Sequence, residues 1–188
     1  IVAHVTKPCD RIILMSAYDD VGIITVNTVN NTYLKDESYN LKSLCILLNS
    51  KIISWIHYRF TFNRAIRTMH FYEFFLSKTK LPLNFKKYQK EIGLLLDYIT
   101  NSDEEQFRKI EHIIDLIMYE LFFGKRINSK LLEKLLPLIK DISSFPNDKK
   151  KFEIQKLVDT CTKKDIINEI TSIKSFDFVK YIEGMANE

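Results

Sequence analysis

The sequence predicts an α+β fold, in which a small N-terminal antiparallel sheet packs on a helix and an all-helical C-terminal subdomain follows. Three observations indicate this fold. The 188 residues include only four glycines and four prolines, too few for a loop-rich architecture. β-Branched residues are concentrated in the first third of the chain, whereas apolar residues recur at helical spacing from Leu41 onward. Hydrophobic residues make up 46% of the chain, enough for one full-sized core or two small ones.

The first third of the chain has the composition of strands. The segments IVAHVTK, RIILMSAY and GIITVNTVNN are rich in β-branched side chains, and turn-forming residues separate them at positions 8–10 and 19–22. We expect these segments to form the antiparallel sheet. Apolar residues then follow the three-and-four spacing of one helical face, which predicts a helix from residue 41 to about residue 60 with Asn40 as its N-cap.

The second half of the chain has helical patterning throughout. Ser102 followed by Glu105 is typical of a capping box, and Gly124 stands where the residue after a helix C-terminus is expected. Further helices are predicted at about residues 130–142, 149–158, 163–173 and 176–185. Pro137 is expected to kink the first of these.

The last two helices and the domain boundary follow from local composition. Thr162 and Ser175 are the expected N-caps of the helices predicted at 163–173 and 176–185. Composition changes near residues 86–91 from mixed and basic to helical and near neutral. This change predicts two parts, a sheet-plus-helix region at 1–88 and a helical subdomain at 89–188.

Membrane and disulfide signals are missing from the sequence. No segment approaches the roughly 18 uninterrupted apolar residues of a membrane span, and no charged-then-apolar signal segment opens the chain. Cys9, Cys45 and Cys161 are widely spaced, which argues against a disulfide framework and a zinc site. We therefore expect a cytoplasmic protein with reduced thiols and no membrane partner. Because the chain begins at Ile1 in a strand-like pattern, we also expect it to be part of a longer protein.

Residue patterns for catalysis and metal binding are also missing. The isolated glycines form no phosphate-binding loop, and the isolated prolines form no Asp/Asn-Pro-Pro-aromatic element for methylating a base amine. The nearest match to a metal-dependent nuclease is Asp148, Glu153 and Lys156, whose spacing departs twice from the pattern. The four histidines lack ligand spacing. We predict no catalytic and no metal-binding residue in this chain, and whether it belongs to an enzyme stays open here.

Positive charge is concentrated in the N-terminal part of the chain. Residues 1–88 contain 12 basic and 6 acidic side chains, whereas residues 89–188 contain 16 and 18. Between residues 49 and 90, nine basic side chains accompany a single acid, Glu73, and aromatic residues are interleaved with them. Such clustering is typical of a surface that binds a polyanion. Among the aromatics, Trp55, Phe71 and Phe75 are expected in the core.

This basic interval supplies the candidate DNA-contacting residues. Guanidinium groups fit guanine edges and phosphates, and aromatic rings stack on bases or wedge between them. The first candidates are Arg64, Arg67, His70 and Lys78. Ranked behind them are Arg59, Lys80 and Lys86.

The same region resembles a known family. Residues 44–55 (LCILLNSKIISW), 67–71 (RTMHF) and 80–83 (KLPL) are similar to the TaqI-like C-terminal specificity domain, with its Leu-Asn-Ser-Lys helix, basic loop and leucine-proline exit. The resemblance covers roughly residues 1–90. The exit departs from the usual Pro-Ile-Pro form because Leu83 and Asn84 follow Pro82.

The resemblance implies a target-recognition region that follows the catalytic domain of an adenine-specific DNA methyltransferase or a fused type II restriction-modification enzyme. The implied partners are double-stranded DNA and the upstream methyltransferase domain of the same polypeptide. That domain would use S-adenosylmethionine, and a parent enzyme that also cleaves DNA would use magnesium; no cofactor is expected in this chain. Within the Asn49-Ser50-Lys51 element, the resemblance implies local bonds for Asn49 and Ser50 where the helix meets the sheet, and a phosphate contact for Lys51.

A second hypothesis makes the chain a helical protein-interaction or scaffold domain that does not bind DNA. Residues 131–139 include more apolar side chains than one helix face requires. Such an excess is typical either of a buried interface or of a central core helix.

Overall fold

The computed structural model describes residues 2–3, 14–23, 29–61 and 73–184, and helices dominate this part of the chain. Its helices are α1 (Leu41–Leu48), α2 (Lys51–Ile56), α3 (Glu73–Leu76), α4 (Phe85–Thr100), α5 (Glu104–Phe123), α6 (Leu131–Leu135), α7 (Asn147–Thr160), α8 (Lys164–Ser175) and α9 (Asp177–Glu183). A π-helical turn (His57–Thr61) follows α2, and 3-10 turns follow α5 (Gly124–Arg126) and α6 (Leu136–Leu138). The helical majority of the predicted α+β fold is therefore present.

The described strands are β1 (Val2–Ala3), β2 (Met15–Ser16) and β3 (Val29–Asn30). β1 lies between the other two, and Val2 is opposite both Ser16 and Asn30 in antiparallel register. Two-residue strands are too short to establish the predicted sheet, and most of its expected residues lie outside the described part of the chain. The sheet therefore stays a prediction.

Helix α1 begins where the sequence predicted and packs along α4. The Asn40 side chain accepts a hydrogen bond from the Ser43 backbone N–H at 3.0 Å, which confirms Asn40 as the N-cap. Gly93 of α4 lies against this cap, because a Cβ atom at position 93 would lie 2.8 Å from Asn40 Oδ1. Glycine at this position permits the close approach of the two helices. Helix α4 runs across the predicted boundary at 88–89, and the two-part division stays a prediction.

The helix predicted over residues 41–60 is divided at Asn49 and Ser50. Asn49 Oδ1 accepts from the Ser16 N–H at 2.8 Å, and its Nδ2 donates to the Ser16 carbonyl at 2.8 Å. The Ser50 hydroxyl donates to the Leu47 carbonyl at 2.6 Å, and its backbone is extended, with ψ of 148°. Both residues thus make the local bonds expected of them, and Asn49 does so where α1 meets β2. The prediction of one uninterrupted helix is wrong, because α1 ends at Leu48 and α2 begins at Lys51.

Helix α5 is central to the packing, since it contacts α2, α4, α6, α7 and α8. Ile110, Ile117, Met118 and Tyr119 on this helix are fully buried. The buried apolar residues form one connected cluster, which extends from Leu14 to the last helix. The N-terminal and C-terminal elements therefore share a core.

Asp115 of α5 takes the place of a local cap for α2. The Ser50 side chain makes no capping bond to the first turn of α2. Instead, Asp115 Oδ1 accepts from the Lys51 N–H at 2.8 Å, and the Asp115 side chain is buried. A carboxylate at a helix N-terminus satisfies an unpaired donor and complements the helix dipole.

Three predicted capping positions are wrong by one residue, for one physical reason. Ser102 and Thr162 stand between helices and Ser175 is the last residue of α8, but each hydroxyl donates to a carbonyl three residues earlier. The acceptors are the carbonyls of Ile99 (2.8 Å), Asp159 (2.7 Å) and Ser172 (2.8 Å). The cap positions of the following helices are Asp103, Lys163 and Phe176. A hydroxyl near a helix end can accept from the next helix or donate to an unpaired carbonyl of the helix before it, and all three hydroxyls do the latter.

Both ends of α5 lie within one residue of the positions predicted from the sequence. Asp103 and Gln106 form its capping box, one residue after the predicted pair, with the Gln106 N–H donating to Asp103 Oδ1 at 2.8 Å. Gly124 ends the helix with φ of +52°, a conformation that favours glycine, as its predicted position implies.

The leucine-rich stretch at 131–139 belongs to the core. Its side chains are at most 7% exposed except those of Glu133, Lys134, Pro137 and Leu138. Helix α6 ends at Leu135, so the helix predicted through residue 142 is wrong in its second half, because Pro137 lacks an N–H and restricts the backbone before it. Helices α7, α8 and α9 agree with their predicted positions to within two residues at each end.

Two further expectations concern the membrane and the thiols. Among the described helices, none combines the length and the apolar character needed to cross a membrane. Cys45 and Cys161 carry free thiols, and burial raises the pKa of both. Cys9 lies outside the described residues.

Candidate nucleic-acid interface

The imidazole of His57 joins the two ends of a segment that we call the recognition segment, residues 62–78. His57 Nδ1 lies 3.0 Å from Thr61 Oγ1, and Nε2 lies 2.8 Å from Thr79 Oγ1. The side chain is 1% exposed, and burial lowers the pKa of His57 from its ordinary value of 6.5 to about 4. The imidazole is therefore neutral at pH 7. Thr61 and Thr79, which flank the segment, thus meet at one partly buried polar contact.

Two candidate cations stand beside this contact. Lys78 and Lys80 flank Thr79 in the chain, and both are exposed. Lys78 Nζ lies 4.6 Å from the centroid of the Phe74 ring, which is itself 64% exposed. An aromatic face attracts an ammonium group without neutralising its charge. Lys78 and Lys80 therefore present positive charge where the recognition segment ends.

Arg59 is held by the last helix of the described chain. Its Cζ lies 5.0 Å from the centroid of the Tyr181 ring, and its Nη2 donates to the Tyr181 hydroxyl. The same ring meets Trp55 edge to face, with centroids 6.1 Å apart. Trp55 is 8% exposed, which confirms its expected place in the core. Arg59 is half-buried at the junction of the π-helical turn and α9.

Lys51 forms an ion pair inside the fold. Its Nζ lies 2.6 Å from Glu183 Oε2, and the Lys51 side chain is 14% exposed. The Tyr119 hydroxyl donates to Glu183 Oε1 at 2.7 Å. Burial raises the pKa of Glu183, but the hydrogen bonds from Lys51 and Tyr119 outweigh burial and hold that pKa below its ordinary value. These bonds give Lys51 a structural role, and the phosphate contact expected for it stays a prediction.

Lys86 lies in a different neighbourhood, at the start of α4. Its Nζ donates to the Ser38 hydroxyl at 2.7 Å and lies 5.1 Å from the centroid of the Tyr39 ring. Hydrogen bonds from Ser38 lower the pKa of the Asp36 carboxyl, and the nearby charge of Lys86 lowers that pKa further. Lys86 thus holds the turn before α1 while remaining exposed.

The three leading candidates, Arg64, Arg67 and His70, lie outside the described residues. Phe71 lies there too, and the side chain of Phe75 is not described. The structure therefore brings together the flanks of the recognition segment, with Arg59 on one side and Lys78 and Lys80 on the other.

One of the two carboxylates considered for metal chemistry pairs with a lysine instead. Glu153 pairs with Lys140 Nζ at 2.9 Å, whereas Asp148 is exposed at the start of α7. Within the described ranges, no group of three or more His, Cys, Asp or Glu side chains could hold a metal ion. Glu120, whose pKa burial raises, accepts from the Ser129 hydroxyl at 3.0 Å and the Leu132 N–H at 3.3 Å, and so stabilises the start of α6.

Sequence patterns missed the contribution of α9. Tyr181 and Glu183 contact Arg59 and Lys51 across 122 and 132 positions of the chain. An aromatic and an acid on a short C-terminal helix carry no local signal of such partners.

One comparison with known proteins identifies the class of this region. The family model of the TaqI-like C-terminal specificity domain matches residues 6–83. The matched range contains the Leu-Asn-Ser-Lys element, the recognition segment and its His57 contact. The resemblance noted from the sequence is therefore confirmed by the match to this family over residues 6–83.

The match covers somewhat less than half of the chain and ends just before α4. Neither the curated proteins nor the solved structures contained a match to the chain.

Proposed function

We propose that this chain recognises a specific sequence of double-stranded DNA and serves as the target-recognition module of an adenine-specific restriction-modification methyltransferase. One observation carries the proposal: within the matched specificity domain, the ends of a segment rich in arginine and aromatic residues lie at His57, with exposed lysines beside them. A segment whose flanking residues are held on a packed core is well placed to contact a surface as regular as a DNA groove.

The side chains of the interval divide into two roles. Arg64 and Arg67 are the proposed base readers, because a guanidinium group bonds two acceptors of guanine in the major groove at once. His70 is the third proposed contact within the recognition segment. Lys78 and Lys80 are the proposed phosphate contacts, since an ammonium group acts as a point charge and fixes register without reading sequence.

Peripheral cations complete the proposed surface. Arg59 is half-buried beside Tyr181 next to the recognition segment, and Lys86 remains exposed beside the turn before α1. Both are proposed as secondary contacts.

The chemistry belongs to the proposed upstream domain of the same polypeptide. That domain would supply S-adenosylmethionine and the catalytic residues, and this chain would hold the duplex so that an adenine can leave the stack. No residue of this chain is assigned to the cofactor or to magnesium.

Duplex titration at several salt concentrations tests the proposal. We expect the logarithm of the affinity to fall linearly with the logarithm of salt. Arg64→Ala and Arg67→Ala should each weaken specific binding by about 1 to 3 kcal/mol and relax preference at one base pair. Lys164→Ala, an exposed lysine on α8 outside the matched domain, is the matched control and should bind like the wild type. Wild-type affinity of both arginine variants for every duplex would contradict their assignment.

The alternative, a protein-interaction domain, was suggested by the excess of apolar side chains at residues 131–139. Apart from Leu138, the apolar residues at 131–139 pack in the core, so no apolar helix face is left uncovered there. A chain without salt-dependent duplex affinity that associates in light-scattering measurements would restore that alternative.

A further inference from the structure

We infer that helix α9 is a positioning element for DNA binding: through Glu183 and Tyr181 it holds the element from which the recognition segment departs. This inference rests on the proposed function. It assigns to the C-terminal helix a part in DNA affinity that requires no contact with DNA.

The first contact holds the start of α2. Glu183 accepts from Lys51 Nζ at 2.6 Å and from the Tyr119 hydroxyl at 2.7 Å, so it links α2, α5 and α9. Lys51 is the first residue of α2, and its backbone N–H is already bonded to Asp115. Side chain and backbone of one residue are thus fixed by two carboxylates from distant helices.

The second contact holds the end of the same element. Arg59 stacks over Tyr181 and donates to its hydroxyl, and Trp55, between Lys51 and Arg59, packs edge-on against the Tyr181 ring. Two residues after Arg59, Thr61 is the last described residue before the recognition segment. Helix α9 therefore contacts the beginning, middle and end of the element formed by residues 51–61.

The physical consequence concerns the cost of binding. A segment whose ends shift in the free protein must be ordered when DNA binds, and that ordering lowers the affinity. Contacts that hold residues 51–61 reduce this cost in advance. Loss of the α9 contacts should therefore weaken DNA binding while the number of neutralised phosphates, and so the salt dependence, stays the same.

The test uses variants that alter few atoms. Glu183→Gln removes the charge of the ion pair, and Tyr181→Phe removes one hydroxyl while keeping the ring. Glu169→Gln is the matched control, because Glu169 also accepts from a lysine, Lys134, and from a backbone N–H, that of Lys130, but joins α8 to α6. Duplex affinity is measured by fluorescence anisotropy at several salt concentrations, and folding by the urea midpoint of each full chain.

We expect Glu183→Gln and Tyr181→Phe each to weaken duplex binding by about fivefold. Substitutions of residues that do not contact a ligand commonly change its affinity by about this factor. Their salt slopes should equal that of the wild type, and Glu169→Gln should bind with wild-type affinity at a comparable urea midpoint. Proteolysis of the free chain between residues 61 and 79 should be faster in both α9 variants than in the control.

Four outcomes would overturn the inference. Wild-type affinity in both α9 variants would overturn this inference and leave the proposed function standing. An equal loss in Glu169→Gln would assign the effect to general stability. Tighter binding of Glu183→Gln with a steeper salt slope would mean that Glu183 withholds Lys51 from a phosphate. A wild-type chain without salt-dependent duplex affinity would overturn the proposed function and the inference with it.

Discussion

Nε2 of His57 lies 2.8 Å from Oγ1 of Thr79, a residue 22 positions later in the chain. The other ring nitrogen meets Thr61 Oγ1, so this one side chain spans the recognition segment. Hydroxyl groups both donate and accept, so they suit a neutral imidazole, which needs one partner of each kind. Because both hydroxyls could also accept from an imidazolium, it is the burial of the ring that requires the neutral form.

This requirement predicts a loss of stability in acid. The pKa of His57 is about 4 in the folded chain and near 6.5 when unfolded, so the unfolded state binds the extra proton as pH falls. Stability should decrease from about pH 6.5 towards pH 4, by roughly 3 kcal/mol.

Urea unfolding of the wild type and of His57→Gln at a series of pH values measures this effect. The variant lacks the titrating ring but keeps a donor and an acceptor, so the difference between the two curves isolates His57 from other groups. Parallel pH dependences would show that His57 does not contribute.

Asn49→Ala should destabilise the domain by about 2 kcal/mol, because two hydrogen bonds to the Ser16 backbone are lost at a partly buried site. Asn49 is assigned no contact with DNA. An Asn49→Ala variant that remains folded should therefore bind duplex DNA with nearly wild-type affinity. Urea midpoints and duplex titration measure the two quantities separately. A stable variant that fails to bind would move Asn49 into the interface.

Gly93→Ala should destabilise the chain even though alanine favours helices by about 1 kcal/mol over glycine. The new Cβ would lie 2.8 Å from Asn40 Oδ1, so the side chain that caps α1 must move and its bond to Ser43 is weakened. We expect a net loss of about 1 kcal/mol in urea unfolding. Gly184→Ala is the control, because a Cβ there meets nothing within 4 Å. Equal stabilisation by both substitutions would refute the proposed packing constraint.

Lys78→Ala and Lys80→Ala should each reduce affinity for all duplexes uniformly and lower the salt slope by about one, as expected when one phosphate contact is lost. The preference among sequences should be unchanged, in contrast to the variants of Arg64 and Arg67. Anisotropy titrations with the target and a scrambled duplex at several salt concentrations distinguish the two patterns. A selective loss on the target alone would make these lysines base readers.

The sequence by itself determined much of the local structure and the family. The spacing of apolar residues located α7, α8 and α9, and the Asn40 cap lies where it was predicted. The Leu-Asn-Ser-Lys element and the exit at Pro82 carried the resemblance that the family match confirmed. These features depend on short stretches of chain, in which backbone preference and amphipathic spacing act directly.

The tertiary structure decided what each side chain meets. Ser102, Thr162 and Ser175 were predicted to cap the helix that follows each of them, but each hydroxyl donates to a carbonyl three residues earlier. Lys51 and Arg59 belong by sequence to one basic interval, yet packing places Glu183 and Tyr181 of α9 against them. The physical reason is that each residue type has its own charge and hydrogen-bonding groups. Which partner satisfies those groups depends on which distant helix packs beside them.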